Sequence, residues 1–189
     1  TRFFEANGGA GPRGTPTLNR GRVYAFGATG IVNALDADDG AVVWSRNAVS
    51  DTGARVPDWG FSSSPLVVGE IVIIAASGRL VSYDAATGNR RWFVKTGGGS
   101  YSSPHLMTIG GVTQILMVSG VGATGITPDD GKQLWQYPWE GFPIVQPALT
   151  ADGDVLIAAG SDSGTRRVAV AHGSGGWTAE ERWTSNGLK

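Results

Sequence analysis

The segment "ALDADDGAVVW" at residues 34–44 returns as "SYDAATGNRRW" at 82–92 and as "GITPDDGKQLW" at 125–135. In each copy an Asp or Thr stands four residues before a Gly, and a Trp stands four residues after that Gly. A short side-chain oxygen at the head of a turn accepts backbone N–H groups, and Gly supplies the positive φ that completes the turn. Because Thr127 replaces the Asp in the third copy, the segment predicts a structural turn rather than a row of catalytic acids.

Four copies of a longer unit surround these segments. The stretches "GTPTL", "SSPLV", "SSPHL" and "VQPAL" align on Pro16, Pro65, Pro104 and Pro147, which are spaced by 49, 39 and 43 residues. Each unit holds short β-rich runs separated by Gly-containing turns, which indicates four strands per unit. A period of about forty residues with four strands and a terminal aromatic is typical of a propeller blade. We therefore predict an all-β fold, a β-propeller with four blades of four antiparallel strands.

The repeat boundaries give a single, partial propeller domain over residues 1–189. We place the blades at approximately 14–61, 62–101, 102–145 and 146–189, after an N-terminal extension at 1–13. Each Trp falls on the outer strand, where it is expected to lie flat against the neighbouring blade and bury up to roughly 200 Å². The residues assigned to this docking are Asp36, Gly40, Trp44, Asp84, Gly88, Trp92, Thr127, Gly131, Trp135 and Trp183.

Composition narrows the classes of function. The chain has 15 basic and 16 acidic residues, so no global field favours nucleic acid or an anionic membrane. The longest apolar stretch, at 71–76, has strand length and is too short to span a membrane. The absence of Cys excludes disulfides, thiolate metal sites and a Cys nucleophile.

The three copies of the segment, with the "SSP"-like stretches that precede them, resemble the pyrroloquinoline-quinone-type propeller repeat of bacteria, in which tryptophan-docking motifs link the blades. The family includes quinoprotein alcohol dehydrogenases and the scaffold subunit of the outer-membrane β-barrel assembly machinery. Its rings usually have seven or eight blades, so the resemblance implies that this chain is the N-terminal half of a longer propeller. It also implies a periplasmic or extracellular location. The fourth unit departs most, since Ala171 and His172 stand where the turn is expected.

The resemblance leaves two classes of function open. Quinoprotein dehydrogenases hold the quinone over a Trp, with Arg and Glu contacts, a calcium ion and often a vicinal disulfide. Neither a Cys pair nor a matching Glu, Asn and Asp set is found in this sequence, so we assign no catalytic, cofactor-binding or metal-binding residues. The alternative is a fragment of a dehydrogenase that uses pyrroloquinoline quinone with calcium and whose cofactor site is incomplete in this chain.

Other chemical motifs are weak. The pattern GxGxxG at 120–125 lacks the helix that a dinucleotide site requires, and it is interpreted, like "GATG" at 27–30, as a turn between the second and third strands. His105 and His172 lie on different blades without a suitably spaced carboxylate. The serines at 62–64 and 102–103 lack a paired base.

The links between blades offer the best binding candidates, because loops at one end of a propeller escape its packing constraints. The first link is long and contains Arg55, Asp58 and Trp59. Two other links contain the remaining candidates, which are Tyr101, Trp139, Glu140, Phe142 and Gln146. It is an equally good interpretation that these aromatic side chains only cover the ends of the blades. We expect a non-catalytic scaffold that binds an unknown protein or small-molecule ligand through these loops and a central channel. Exposed end faces predict a homodimer, with a closed four-bladed ring as the alternative.

Overall fold

The computed structural model describes residues 13–158 and 164–187. The chain divides into two compact units, Thr1–Lys95 and Thr96–Lys189. Each unit contains two four-stranded sheets in which every strand pairs antiparallel with its neighbour in sequence. Over the described residues the predicted all-β class, with four strands in each of four sheets, is confirmed.

Unit 1 holds the first and second sheets. The first sheet consists of β1 (Thr17–Asn19), β2 (Arg22–Phe26), β3 (Ile31–Asp36) and β4 (Val42–Asn47). The second consists of β5 (Leu66–Val68), β6 (Ile71–Ala75), β7 (Arg79–Asp84) and β8 (Arg90–Lys95). Apolar side chains from both sheets form one buried core.

Unit 2 holds the third and fourth sheets. The third consists of β9 (His105–Ile109), β10 (Val112–Ser119), β11 (Gly122–Ile126) and β12 (Gln133–Pro138). The fourth consists of β13 (Ala148–Leu149), β14 (Val155–Ala158), β15 (Thr165–Gly173) and β16 (Gly176–Ser185). These two sheets also share one buried core.

A β-bulge at the same place in every sheet positions the Trp. In the first sheet Ala34 pairs with Trp44 and Leu35 with Val42, so Val43 is skipped. The residue before the Trp is skipped in the other three sheets too, next to Trp92, Trp135 and Trp183. A bulge re-aims the adjacent side chain. All four Trp side chains therefore occupy the same register position on the outer strand.

Three local features differ from the sequence-based expectations. The first link contains a short helix, α1 (Ala48–Thr52), capped by the side chain of Asn47, which accepts the N–H groups of Val49 and Ser50. Residues 27–30 do separate β2 from β3, as predicted, but the turn predicted for 120–125 is only partly right because β11 begins at Gly122.

The third difference lies in the fourth sheet, where β15 and β16 continue as a long hairpin to Gly173 and Gly176. This hairpin replaces the turn that the other three units have. Among the described residues, no helix is long and apolar enough to cross a membrane.

Candidate functional site

Trp44 links the two sheets of unit 1 through a single carbonyl group. Its indole Nε1 donates to the carbonyl oxygen of Ala85, which follows β7 in the second sheet, at 3.0 Å. The same oxygen accepts from Arg22 Nη1 at 2.8 Å and from Tyr24 Oη at 3.2 Å. Three donors of the first sheet thus converge on one backbone acceptor of the second.

Gly88 completes this contact. A Cβ at Gly88 would lie 2.7 Å from a carbon of the Trp44 ring, closer than real Cβ contacts allow. Gly88 also has φ +70°, which a side chain disfavours. Gly88 is therefore needed twice, once for the turn and once because the Trp44 ring lies directly against its backbone.

Asp84 holds the Asp84–Gly88 turn in shape. Its Oδ1 accepts the N–H groups of Ala86 and Thr87 and the Thr87 hydroxyl, and its Oδ2 accepts from Arg91. The Thr87 N–H first, and then Arg91 and the Thr87 hydroxyl, lower the pKa of Asp84 from 3.8 to about 2. The charged form of Asp84 is thus the form that the folded chain stabilises.

This pKa shift predicts an acid-dependent loss of stability. Since the pKa of Asp84 is lower in the folded chain, its contribution to stability is fully present above pH 3.8 and is lost as the pH falls toward about 2. In Asp84→Asn we expect a lower free energy of unfolding at neutral pH and a smaller decrease over this acid range, measured by denaturant unfolding with Trp fluorescence. Asp129→Asn, an exposed acid in the equivalent turn of the third sheet, is the control. Identical acid profiles for Asp84→Asn and the unmodified chain would contradict the prediction.

The other predicted docking residues differ from sheet to sheet in their turns and in the burial of their Trp side chains. The turns that contain Asp36 and Thr127 close with the same hydrogen bond as the Asp84 turn, from the Gly N–H to the carbonyl four residues earlier. Trp92 and Trp135 are buried, and Trp183 is 39% exposed. Trp135 donates to Gln114 Oε1 of its own sheet at 2.6 Å, whereas the fourth sheet, with its long hairpin, offers no such turn. That these Trp contacts contribute to the free energy of unfolding stays a prediction.

The first candidate loop extends from α1. Tyr83 Oη donates to Asp51 Oδ2 at 2.8 Å and Arg90 Nη1 donates to the Asp51 carbonyl at 2.7 Å, which fixes α1 against the second sheet. Burial, followed by this bond to Asp51, raises the pKa of Tyr83. Beyond the helix the predicted residues Arg55, Asp58 and Trp59 are all exposed.

The second group of loops lies in unit 2 and is held by backbone hydrogen bonds. Gly120 N–H donates to the Gly99 carbonyl, Gly141 N–H to the Gly120 carbonyl, and Tyr101 N–H to the Pro143 carbonyl. The rings of Tyr101 and Phe142 meet edge to face, with centroids 5.4 Å apart. These contacts bring together three loops, at 96–101, 120–121 and 139–146.

These three loops present an apolar surface, which we call the loop patch: Tyr101, Val121, Phe142, Ile144 and Val145. Phe142 is 49% exposed and Ile144 is 60% exposed. The sequence analysis selected Tyr101 and Phe142 but missed Val121, Ile144 and Val145. The available signal was the apolar pair between Pro143 and Pro147, outside any predicted strand.

Two of the selected residues have neighbours that restrict their roles. Trp139 is buried in the core of unit 2, with its ring near Tyr137 and the Arg166 guanidinium, so it is not accessible to a ligand. This corrects its selection as a binding residue. Gln146 is exposed and lies beside Ser103, where its amide nitrogen can donate to the Ser103 carbonyl at 2.9 Å. Glu140 is exposed next to the loop patch in sequence.

The residues set aside as catalytic candidates have structural contacts. Ser63 Oγ donates to the Ala75 carbonyl at 2.8 Å, and Ser102 Oγ donates to the Val145 carbonyl at 2.9 Å. His105 is exposed on β9, and His172 lies against Trp177 with ring centroids 4.7 Å apart. In residues 13–158 and 164–187, no group of three or more His, Asp or Glu is placed to hold a metal ion. A chain without Cys also has no counterpart of the vicinal disulfide of quinoprotein dehydrogenases.

A cleft of about 290 Å³ lies in unit 1 beside the Asp84–Gly88 turn. Its charged side chains are two bases and two acids, in the list Asn19, Arg20, Arg22, Tyr24, Gly69, Glu70, Asp84, Ala85 and Ala86. Arg22 and Tyr24 already bond to Ala85 there, so their hydrogen-bonding groups serve the contact between the sheets.

Comparison with known proteins agrees with this architecture. The solved structure of BamB from Moraxella catarrhalis matches with a TM-score of 0.61 and 22% identity, over 90% of this chain and 47% of that chain. Quinohemoprotein alcohol dehydrogenase from Comamonas testosteroni matches with a TM-score of 0.59 and 19% identity, over 81% of this chain and 33% of that chain. At these identities the likeness concerns the fold, and it confirms the β-propeller class.

Two curated relatives match in sequence. Outer membrane protein assembly factor BamB of Burkholderia pseudomallei is 33% identical over 123 residues, which are 65% of this chain and 31% of the relative. Quinohemoprotein alcohol dehydrogenase ADH-IIG of Pseudomonas putida is 28% identical over 174 residues, 79% of this chain and 24% of the relative. The chain thus spans about a quarter to a third of the length of these relatives.

The family is settled by a match that covers nearly the whole chain. The model of the family described as outer membrane protein assembly factor BamB matches residues 3–188. This confirms the repeat type inferred from the three Asp/Thr, Gly and Trp segments. The chain belongs to the family of the outer membrane protein assembly factor BamB.

Proposed function

We propose that this chain is a non-catalytic module that binds a protein partner through its inter-blade loops, and that it works without a cofactor. The observation that carries the proposal is the loop patch, which exposes Phe142, Ile144 and Val145 on loops fixed by backbone hydrogen bonds. Exposed apolar surface on a rigid support is typical of protein–protein contact sites. Membership of a family named for an assembly factor supports the same function.

The location and the oligomeric state belong to the same proposal. Similarity to outer membrane protein assembly factors supports a periplasmic or extracellular location. We also propose a homodimer, in which exposed sheet faces are covered by a second copy of the chain.

Site-specific photo-crosslinking tests the binding surface. A photoreactive residue at position 144 is expected to form a covalent adduct with a partner protein in cells that produce this chain, because Ile144 is the most exposed apolar side chain of the loop patch. The same residue at position 43, which is exposed on β4, is the control. Phe142→Ser should reduce the adduct at position 144 at least about tenfold, with only a small decrease in the midpoint of unfolding from the lost ring contact with Tyr101. Equal adducts at positions 144 and 43 would contradict a partner site at the loop patch.

The dehydrogenase similarity defines the second candidate function, and a direct assay separates it from the first. The purified chain is mixed with pyrroloquinoline quinone, calcium and an alcohol or sugar, and reduction of an electron-accepting dye is followed. We expect no turnover above the protein-free control. Cofactor-dependent turnover would overturn the non-catalytic proposal.

A further inference from the structure

The cleft of unit 1 has a basic wall and an acidic wall. The basic wall is the turn between β1 and β2, which contributes Arg20 and Arg22. The acidic wall belongs to the second sheet, with Glu70 between β5 and β6 and Asp84 at the end of β7. Both walls are neighbouring sheets of one compact unit. The described lining of the cleft therefore lies within residues 19–86.

The opposite charges of the two walls do not neutralise each other. Among the described residues, neither base forms an ion pair with either acid, and Asp84 pairs with Arg91 instead. The side chains of Arg20 and Glu70 are exposed, and neither forms a hydrogen bond with another described residue. Charges of opposite sign that face each other across a cleft are complementary to a ligand that carries both signs.

Arg22 is fixed in the cleft and still has donors to offer. Its Nη1 donates to the Ala85 carbonyl at 2.8 Å, whereas the other N–H groups of the guanidinium bond to no described residue. The corresponding position, the first of the second strand, is apolar in the other three sheets: Ile71, Val112 and Val155. The repeat itself therefore does not require a base at this position.

Arg20 occupies a backbone conformation that favours glycine. Its φ is +47°, and it is the first residue of the turn between β1 and β2. The corresponding residues of the second and third sheets are Gly69, with φ +58°, and Gly110, with φ +57°. Residues other than glycine in this conformation concentrate at functional sites. The turn thus carries a cationic side chain where the repeat otherwise uses glycine.

In unit 2 the corresponding turn is covered by the chain itself. A Cβ built at Gly110 would lie 4.0 Å from the His172 Cβ and from the Trp177 ring, both near the end of the β15–β16 hairpin. The second sheet has the short Asp84–Gly88 turn instead, and no described residue lies within 4 Å of a Cβ built at Gly69. Unit 1 therefore leaves open, and lines with charge, a space that unit 2 covers with its hairpin.

We infer that this cleft binds a small zwitterionic ligand, an amino acid or a short peptide. The carboxylate of the ligand accepts from the guanidinium groups of Arg20 and Arg22, which suit planar carboxylates. The ammonium group donates to Glu70, while Asp84 keeps its bond to Arg91 and adds negative charge to the same wall. Pockets for small ligands begin at about 300 Å³, so a cleft of about 290 Å³ limits the ligand to a few residues.

Titrations followed by nitrogen-15 NMR of the chain test the inference. The probes are glycine, diglycine, triglycine and tetraglycine, which carry the same two charges at increasing separation, so the length that binds best distinguishes a free amino acid from a peptide. We expect saturable shifts of the amide signals of Arg20, Gly69 and Glu70.

Blocked probes show whether both charges are needed. At the best length, the N-acetylated probe lacks the ammonium group and the C-terminal amide lacks the carboxylate. Each should bind at least about tenfold more weakly, because each loses a hydrogen bond between charged groups. Equal binding of either blocked probe would overturn the zwitterionic ligand.

Two substitutions locate the ligand in the cleft. Arg20→Gly and Glu70→Gln should each weaken binding of the best probe at least about tenfold, because each removes a charge that faces the ligand. Arg20→Gly restores glycine to the left-handed position, so its unfolding midpoint should stay the same or rise. Loss of binding in this variant therefore does not come from loss of the fold.

Two controls separate this cleft from other surfaces. Arg55→Gln removes an exposed Arg that does not line the cleft, and Phe142→Ser alters the loop patch. Both variants should bind the best probe like the unmodified chain. Absence of saturable shifts with every zwitterionic probe, or unchanged binding in both cleft variants, would overturn the inference and would leave the proposed partner site at the loop patch unaffected.

Discussion

Replacing Trp44 with alanine is expected to lower the free energy of unfolding by about 3 to 5 kcal/mol, the range for truncating a buried large aromatic side chain. Trp44 is buried between the two sheets of unit 1, and its indole N–H bonds to the Ala85 carbonyl at 3.0 Å. Removing it leaves a cavity against Gly88 and takes away one of three donors to that oxygen. Denaturant unfolding followed by circular dichroism measures the loss.

Val43→Ala is the matched control for this substitution. Val43 is the neighbouring residue on β4, is exposed, and is skipped in the pairing with β3. Its truncation should cost less than about 1 kcal/mol, as for other exposed strand positions. Equal losses for Trp44→Ala and Val43→Ala would show that Trp44 does not link the two sheets energetically.

The second large effect is expected from a pair of glycine substitutions. Gly88→Ala and Gly40→Ala place the same methyl group on turns with φ +70° and +75°. Each should lose about 1 to 2 kcal/mol because the left-handed conformation disfavours a side chain. Only at Gly88 does the methyl group also meet the Trp44 ring at 2.7 Å, which should add about 1 to 3 kcal/mol of overpacking.

The difference between the losses of unfolding free energy in these two variants isolates the contact with Trp44 from the backbone strain. Unfolding should be measured at low protein concentration, so that self-association does not stabilise either variant. In the Trp44→Ala background the extra cost of Gly88→Ala should disappear, because the ring that the methyl group meets is gone. If Gly88→Ala loses the same free energy of unfolding in the Trp44→Ala background, the whole loss arises from backbone strain in the turn.

Much of the architecture follows from sequence pattern. The run "IVIIA" at 71–75 coincides with β6, because five consecutive β-branched or small apolar residues suit a strand that is buried on both faces. The spacing of Gly40 and Gly88 predicts their turns, since only positive φ closes them without strain. These features are local, and a local signal is sufficient to predict them.

Features that depend on distant contacts were missed or only partly predicted. Gly88 was interpreted through its backbone angle alone, because the ring that excludes a side chain there comes from another repeat. Gly125 was assigned to a turn, but it lies inside β11, where a Cβ would be 2.2 Å from Trp135 Nε1. Glycine inside a strand marks such a close approach, and the sequence does not name its partner.

The candidate binding residues also divide into those whose exposure follows from local sequence and those whose burial depends on distant contacts. Exposure of Arg55, Asp58 and Trp59 follows from their place in a long, polar link. Trp139 and Phe142 are only three residues apart in one link, yet Trp139 is buried and Phe142 is exposed. That difference arises from the packing of Tyr137 and Arg166 around Trp139, which links different strands and cannot be read from composition.

The convergence of Arg22, Tyr24 and Trp44 on the Ala85 carbonyl has a consequence for sequence tolerance. The second sheet contributes to this joint only a main-chain oxygen and the bare backbone of Gly88. Neither depends on the side chain at 86, which is exposed, whereas Ala85 packs on the core and the Thr87 hydroxyl bonds to Asp84. A saturation library at position 86 should therefore keep many more folded variants than one at Trp44 or Gly88.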